Sequence, residues 1–381
     1  MINSNQIINF EVGKLQKLSY NASHIESIEN GCFEIFNRLE VLDLSNNQLT
    51  KINECDFSHL INLKHLNISN NAIKTIHSDS FLNLEKLESL SLGFNFIEKI
   101  ESNLFKNSTS LKHLDLRTWK NGEIFFIENT CKFQEKFHNL QMLECSFKIF
   151  HHHFESLKNL NYLKIVENEE YFMRRELVDS LPNLKRISIE TDELNKSTIE
   201  FLRKLTSLEE LEIEIKSKKT IKLNIFKNLK KFKIRATKLS LSNTNVDTVY
   251  KNLMEFCYCG SFLESSEFIF DFNKILNITE LCLENLKLVT SLKTLESLTC
   301  LESLKFKNVE FKDLNFFCKI LNKLVNLRII KLNCCKFNEQ YLIINDVQKS
   351  AVKELHLDFN VFSNLNAIST SFYSTEILSL K

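Results

Sequence analysis

The chain has 381 residues, with 49 Lys and Arg against 48 Asp and Glu, for a formal net charge of +1. That balance gives no electrostatic reason to bind nucleic acid or an anionic membrane surface. One Pro and five Gly leave little material for flexible linkers, and no apolar run approaches the length of a membrane span.

Met1 to Lys14 carries Ile7, Ile8, Phe10 and Val12 and is expected to form a thin N-terminal cap. It lacks a basic segment followed by a long apolar core, so it reads poorly as a secretory signal. From Leu15 onward one pattern recurs. The stretch LKHLNISNNAIKTIHSDSFLNLEK, Leu63 to Lys86, has copies opening 24 residues earlier at Leu39 and 24 later at Leu87, and a weaker one at Leu15. Further copies open at Leu111, Leu140, Leu160, Leu184, Leu208, Leu229, Leu253, Ile278, Leu301, Leu327 and Val352, and a partial one at Thr375. Residues 15–381 therefore read as a single solenoid of about 15 repeats plus a fragment.

The spacing within a unit has a physical reading. In LKHLNIS, Leu66 and Ile68 alternate with His65, Asn67 and Ser69, which predicts a short strand with one face inward and one outward. Ile73, Ile76, Phe81 and Leu84 then return to the same interior, which only neighbouring units can close. Asn47, Asn71 and Asn95 share one unit position, where an amide can satisfy backbone groups freed as the chain leaves the strand. Phe33, Phe57, Phe81 and Phe105 share another. Both ladders are expected to be structural.

The fifth unit is stretched to 29 residues by RTWKNGEIFFIENTCKFQEKF, which holds the single Trp, Trp119. Insertions in repeat arrays map to loops, so this is a modest functional candidate against the alternative of Trp119 packed beneath a tolerated bulge. Later, STIEFLRKLT places Ser197 and Glu200 at capping-box spacing, with Ile199, Leu202 and Leu205 on one face. DLNFFCKILNKL likewise aligns Leu314, Phe317, Leu321 and Leu324, so the second half is expected to have a helical outer wall.

These units resemble leucine-rich repeats. The strict early repeats, with Asn71 and Phe81, resemble those of Toll-like receptor ectodomains. The later ones, including LRIIKLNCCKF with Cys335 where Asn71 stands in its own unit, are similar to intracellular leucine-rich families with helical backs. The resemblance implies an α/β fold: a leucine-rich repeat solenoid, or horseshoe, with a parallel concave β-sheet and a mixed irregular and helical convex side. It also implies binding of proteins, peptides or glycans by the concave sheet, with no catalytic machinery in the repeats.

The outward strand positions are then the candidate ligand surface. They read Arg186, Ser188, Glu190, then Glu210, Glu212, Glu214, then Lys231, Lys233, Arg235. Alternating rows of charge either neutralise one another as cross-strand pairs or give a partner register and orientation.

Other sources of chemistry are weaker. The cysteine count is eleven, and Cys32 and Cys55 fall at nearly the same place in consecutive units, a spacing that cannot establish disulfide geometry. Cys257 and Cys282 share one outward position with Cys259 nearby, but the sequence identifies no complete ligand set and no metal is expected. His151, His152 and His153 are consecutive, point in different directions and read as a solvated turn. There is no phosphate loop, no Ser/His/Asp arrangement and no cofactor motif, so the chain is not expected to be an enzyme. Five sequons, at Asn21, Asn67, Asn107, Asn195 and Asn277, are about what chance supplies in a chain this rich in Asn, Ser and Thr.

The chain stops within TEILSLK, in the middle of a predicted strand. A solenoid needs polar caps, so the sequence is expected to be part of a longer protein or a truncated family member, with the open end able to meet a second copy. The expected function is recognition of a protein or peptide, either as a receptor-like ectodomain or as an intracellular adaptor. The compartment stays open between extracellular or membrane-tethered and cytoplasmic.

Overall fold

The computed structural model describes residues 14–117, 125–126, 137–146, 157–166, 178–179, 181–216, 228–236, 239–240, 251–260, 268–269, 272–288, 293–311, 320–321, 323–337, 352–360 and 377–379. The expected cap over Ile7 to Val12, the Trp119 candidate and the His151 to His153 run lie outside them.

The alternation in LKHLNIS becomes the strand His65–Asn67, with Leu66 buried and its two flanking residues on the outward side. Every unit repeats this solution, and the strands stack in parallel. The chain divides into two compact units, Met1–Ile189 and Glu190–Lys381. In the first, Lys17 aligns with Val41, then His65, Ser89, His113, Met142 and Tyr162 on successive strands. In the second, Glu210 aligns with Lys231, Glu255, Glu280, Ser303, Ile329, Glu354 and Ile377. Each is a leucine-rich-repeat solenoid built on a parallel sheet.

The core is the stacked set of repeat leucines. Leu63, Leu66, Ile68, Ile73, Phe81 and Leu84 are each at most 1% exposed, while Ile76 is half-buried. Burying such a side chain contributes about 1.5–3 kcal/mol, and one unit closes its neighbour's interior. Phe33, Phe57 and Phe81 form a continuous stack with ring centroids 6.2 Å apart and planes tilted by 22°. Phe105 is also buried and meets Phe137 edge-on at 5.3 Å.

The asparagine ladder ties adjacent units together. Asn71 Oδ1 accepts from the Leu49 N–H at 3.0 Å, and its Nδ2 donates to Leu44 O and Ile68 O at 3.0 and 3.1 Å. Asn47 Oδ1 accepts from the Ser23 and Ile25 N–H groups, and Asn95 Oδ1 from that of Ile73. In the second unit Asn360 takes the same place: its Oδ1 accepts from the Cys335 N–H at 2.7 Å and its Nδ2 donates to Leu332 O. Cys335, fully buried at the ladder position of its own repeat, donates its thiol to Phe306 O at 3.7 Å. A thiol is a weak donor, so this link is the softer version of the amide.

A second ladder was not anticipated from the sequence. Asn62, Asn139, Asn159, Asn183, Asn228, Asn277 and Asn326 each directly precede the first leucine or isoleucine of a repeat. Each donates Nδ2 to a backbone carbonyl of the previous repeat, at 2.6 to 3.0 Å. The signal was present as a recurrent Asn before the repeat's opening residue.

The back of the repeats is mostly irregular. Short parallel pairs form between Lys51–Ile52 and Thr75–Ile76, and between Lys99–Ile100 and Phe125–Phe126, the described part of the long fifth-unit insertion. The expected helix is present as Lys196–Lys204. Its cap, however, is Asn195 rather than Ser197: Asn195 Oδ1 accepts from the Thr198 N–H and the Ser197 hydroxyl, both at 2.8 Å. Thr198, Phe201 and Leu202 form its buried face, with Leu205 buried just beyond its end. Elsewhere in the second unit the described backs include the 3-10 turns Phe272–Lys274 and Lys293–Ser297 and helical residues at 320–321. Leu321 and Leu324 are buried as their spacing predicts, and Leu314 and Phe317 lie outside the described residues.

Candidate functional site

Strand alternation sends every second residue of a repeat to the sheet's outer face, and parallel in-register stacking turns those residues into rows. In the second unit the first row runs Glu210, Lys231, Glu255, Glu280 and Ser303. The second runs Glu212, Lys233, Cys257, Cys282, Lys305 and Lys331, and the third Glu214, Arg235, Cys259, Glu284, Lys307 and Asn333.

The banded charges close on one another across strands. Lys233 reaches Glu212 at 2.6 Å, Arg235 reaches Glu214 at 3.1 Å, and Lys231 turns the other way to Glu255 at 2.7 Å. Lys305 pairs with Glu280 at 2.9 Å, and Glu190 is held by Lys216 at 2.5 Å. Hydrogen bonds to their carboxylates hold the ammonium groups of Lys231, Lys233 and Lys305 above the ordinary lysine value. The pairs are roughly a third to a half exposed, so each contributes about 0.2–1 kcal/mol. Neutralisation thus accounts for most of the charge in these bands.

Two cations escape it. Lys307 and Lys331 face outward on adjacent strands and have no ion-pair partner among the described residues. Beside them, Asn333 Oδ1 is buried without a hydrogen-bond partner. A buried carbonyl oxygen left unpaired costs about 1–3 kcal/mol.

Between the bands sits a thiol pair. Cys257 and Cys282 are register partners, and the Cys282 thiol donates to Glu284 Oε1 at 3.5 Å. Cys259 is buried, and its sulfur accepts from the Asn285 amide at 3.2 Å. All nine described cysteines are free thiols, Cys32 and Cys55 included.

The outer face of the first unit is built differently. Arg117 donates from Nε and Nη2 to the two oxygens of Asp115, at 2.9 and 2.8 Å, and also meets Glu144 at 3.1 Å. Ser91 Oγ donates to Asp115 Oδ2 at 3.0 Å, and the Arg117 guanidinium lies 4.8 Å from the Phe94 ring centre. Asp115 is 2% exposed, so this network is a rigid, desolvated patch rather than a mobile fringe. Its members were not singled out in the sequence, because the signal lies in one glycine, Gly93, where other repeats carry Ser45 and Ser69. Arg186 belongs to this unit, with its guanidinium 5.0 Å from the Tyr162 ring centre. Among the described residues no helix is long and apolar enough to cross a membrane.

A family model for leucine-rich repeats matches residues 13–73 and 61–118. No curated protein matches the chain by sequence. Among solved structures, a chain of the TLR13–ssRNA13 complex is 19% identical, with a TM-score of 0.62 over 96% of this chain and 58% of that one. An internalin, InlF, from Listeria monocytogenes is 17% identical, with a TM-score of 0.46 over 96% and 87% of the two chains. A chain of the mouse RP105/MD-1 complex is 16% identical, with a TM-score of 0.48 over 97% and 67%. This chain spans 58% of the length of the TLR13 chain, and the likeness is one of fold.

Proposed function

We propose that the chain is a non-catalytic recognition module that binds a protein or peptide on the outer face of its parallel sheet. The observation that carries this reading is the pair Lys307 and Lys331, two outward cations on adjacent strands without ion-pair partners among the described residues. A peptide carrying Asp or Glu complements both. The paired residues Glu190, Glu210, Glu212, Glu214, Lys231, Lys233 and Arg235 then act as a polar surround that orients the ligand and rejects mismatched charge.

The receptor-like form of this reading is supported by the strict 24-residue repeats from Leu15 and by the likeness to the TLR13 chain. That chain was solved with a single-stranded RNA. Here Lys231, Lys233, Arg235 and Lys305 are already tied to carboxylates, which favours a polypeptide over a phosphate backbone.

The test is selection of a displayed random peptide library on the full chain. Selected peptides are expected to be rich in Asp and Glu, and to lose about tenfold or more in affinity, ~1.4 kcal/mol, against Lys307→Glu/Lys331→Glu. Lys74→Glu, on the back of the repeats, is expected to change nothing. Peptides that bind both variants alike, or retention of single-stranded RNA with a steep salt dependence, would sink the reading.

A further inference from the structure

The thiol pair on the outer face has a third partner that its place in the sheet supplies. Cys257 and Cys282 stand opposite each other on neighbouring strands, and Glu284 follows two residues after Cys282 on the same face. The two sulfurs and a Glu284 carboxylate oxygen all lie within 4.8 Å of one another, and all three residues are half-buried. Two thiolates on a tetrahedral zinc, at about 2.3 Å each, stand roughly 3.8 Å apart, so small side-chain rotations bring the three donors onto one ion.

We propose that Cys257, Cys282 and Glu284 bind a thiophilic divalent cation of the zinc type, with water in the fourth position on the solvent side. The donor set selects the metal class: two soft sulfurs exclude Mg2+ and Ca2+, while one carboxylate and an open position suit four-coordinate Zn2+. Cys259 lies outside the set, because it is buried and its sulfur already accepts from Asn285.

The neighbourhood supports the charge. Two thiolates and a carboxylate carry three negative charges, and the bound ion leaves one. Lys233 flanks Cys257 on one side and Lys305 flanks Cys282 on the other, each also paired to a carboxylate of its own. Along the two strands the remaining titratable residues are Glu255, Tyr258, Cys259, Glu280 and Lys287. Binding replaces two S–H bonds by two metal–sulfur bonds and releases both protons to solvent, while Glu284 contributes a lone pair from a carboxylate oxygen. Both thiols must lose their protons to bind, so protons compete with the metal and affinity rises with pH.

Titration of the full chain with Co2+, under a non-chelating phosphine reductant, tests the proposal. One equivalent is expected to give thiolate-to-cobalt charge-transfer absorption and the intense d–d bands of tetrahedral Co2+, both bleached by Zn2+. Cys257→Ser and Cys282→Ser are expected to abolish these bands. Glu284→Gln is expected to weaken binding by at least the roughly tenfold that loss of even an outer partner costs. Cys300→Ser and Cys334→Ser, which alter exposed thiols elsewhere, leave the spectrum unchanged. Far-UV circular dichroism confirms that each variant is folded. Absence of the bands in the folded native chain, their persistence in Cys257→Ser, or a Cys257–Cys282 disulfide in the protein as isolated that blocks Co2+ uptake would overturn it.

Discussion

A Cβ placed on Gly93 would lie 2.5 Å from Asp115 Oδ2 and 2.7 Å from Oδ1, closer than real side chains approach. Gly93 is therefore the space in which the Asp115 carboxylate lies flat against the sheet. In the two preceding repeats the same position holds Ser45 and Ser69, whose hydroxyls donate to Asp43 and Asn67 of their own strands. With the side chain removed, the carboxylate of the next repeat fills the place and takes up Arg117 and Ser91.

Gly93→Ala is expected to destabilise the chain by about 1–3 kcal/mol, because Asp115 is pinned from two sides and cannot swing away. Denaturant unfolding of the variant measures this. An unchanged midpoint would mean that the Arg117 network is loose.

The two asparagine ladders are expected to differ in weight. Asn71→Ala leaves the buried Leu49 N–H without its partner, at a cost of about 1–3 kcal/mol, while the Leu44 carbonyl keeps its bond from Asn47. Asn62→Ala exposes its carbonyl partner, Asn37 O, to water and is expected to cost under about 1 kcal/mol. Equal losses in paired thermal melts would contradict this ranking.

Phe359 adopts φ of 57° while 67% exposed, at the turn position that Asn46 and Asn70 occupy in early repeats. A left-handed backbone costs a bulky residue about 1–2 kcal/mol, and little packing is lost on its removal. Phe359→Asn is expected to stabilise the chain by about 1 kcal/mol, read as a raised unfolding midpoint. A lowered midpoint would show that the ring packs after all. Phe94 shares the conformation, but its ring carries Arg117, so the same change there is expected to bring no such gain.

Cys32 supplies a pH dependence. Burial first, then Asp56 and Glu29, push its thiol from the ordinary 9.0 up to about 12. The folded value lies above the unfolded one, so the unfolded chain loses its proton first. The contribution is full below pH 9.0 and is lost as pH rises toward about 12. Stability against pH over that window is expected to fall less steeply in Cys32→Val than in the native chain. Parallel slopes would show that Cys32 ionises freely in the fold.

The sequence by itself determined the repeat, its parallel stacking and the inward set, because burial in a solenoid imposes the same demand at the same place in each turn. Leu63, Leu66, Ile68 and Phe81 recur 24 residues apart for that reason, and Asn71 recurs because every strand exit frees the same backbone groups. Tertiary structure decided whatever depends on which side chain lies across the gap between strands. Lys231 pairs forward with Glu255 while Lys233 and Arg235 pair back to Glu212 and Glu214, a choice of rotamer and reach that no periodicity contains. Glu284 joins the thiol pair, and Asn195 rather than Ser197 caps the helix, for similarly local geometric reasons. Gly93 and Asp115 are 22 residues apart and unremarkable in either repeat alone. Only the lateral register of the sheet makes one the cavity for the other.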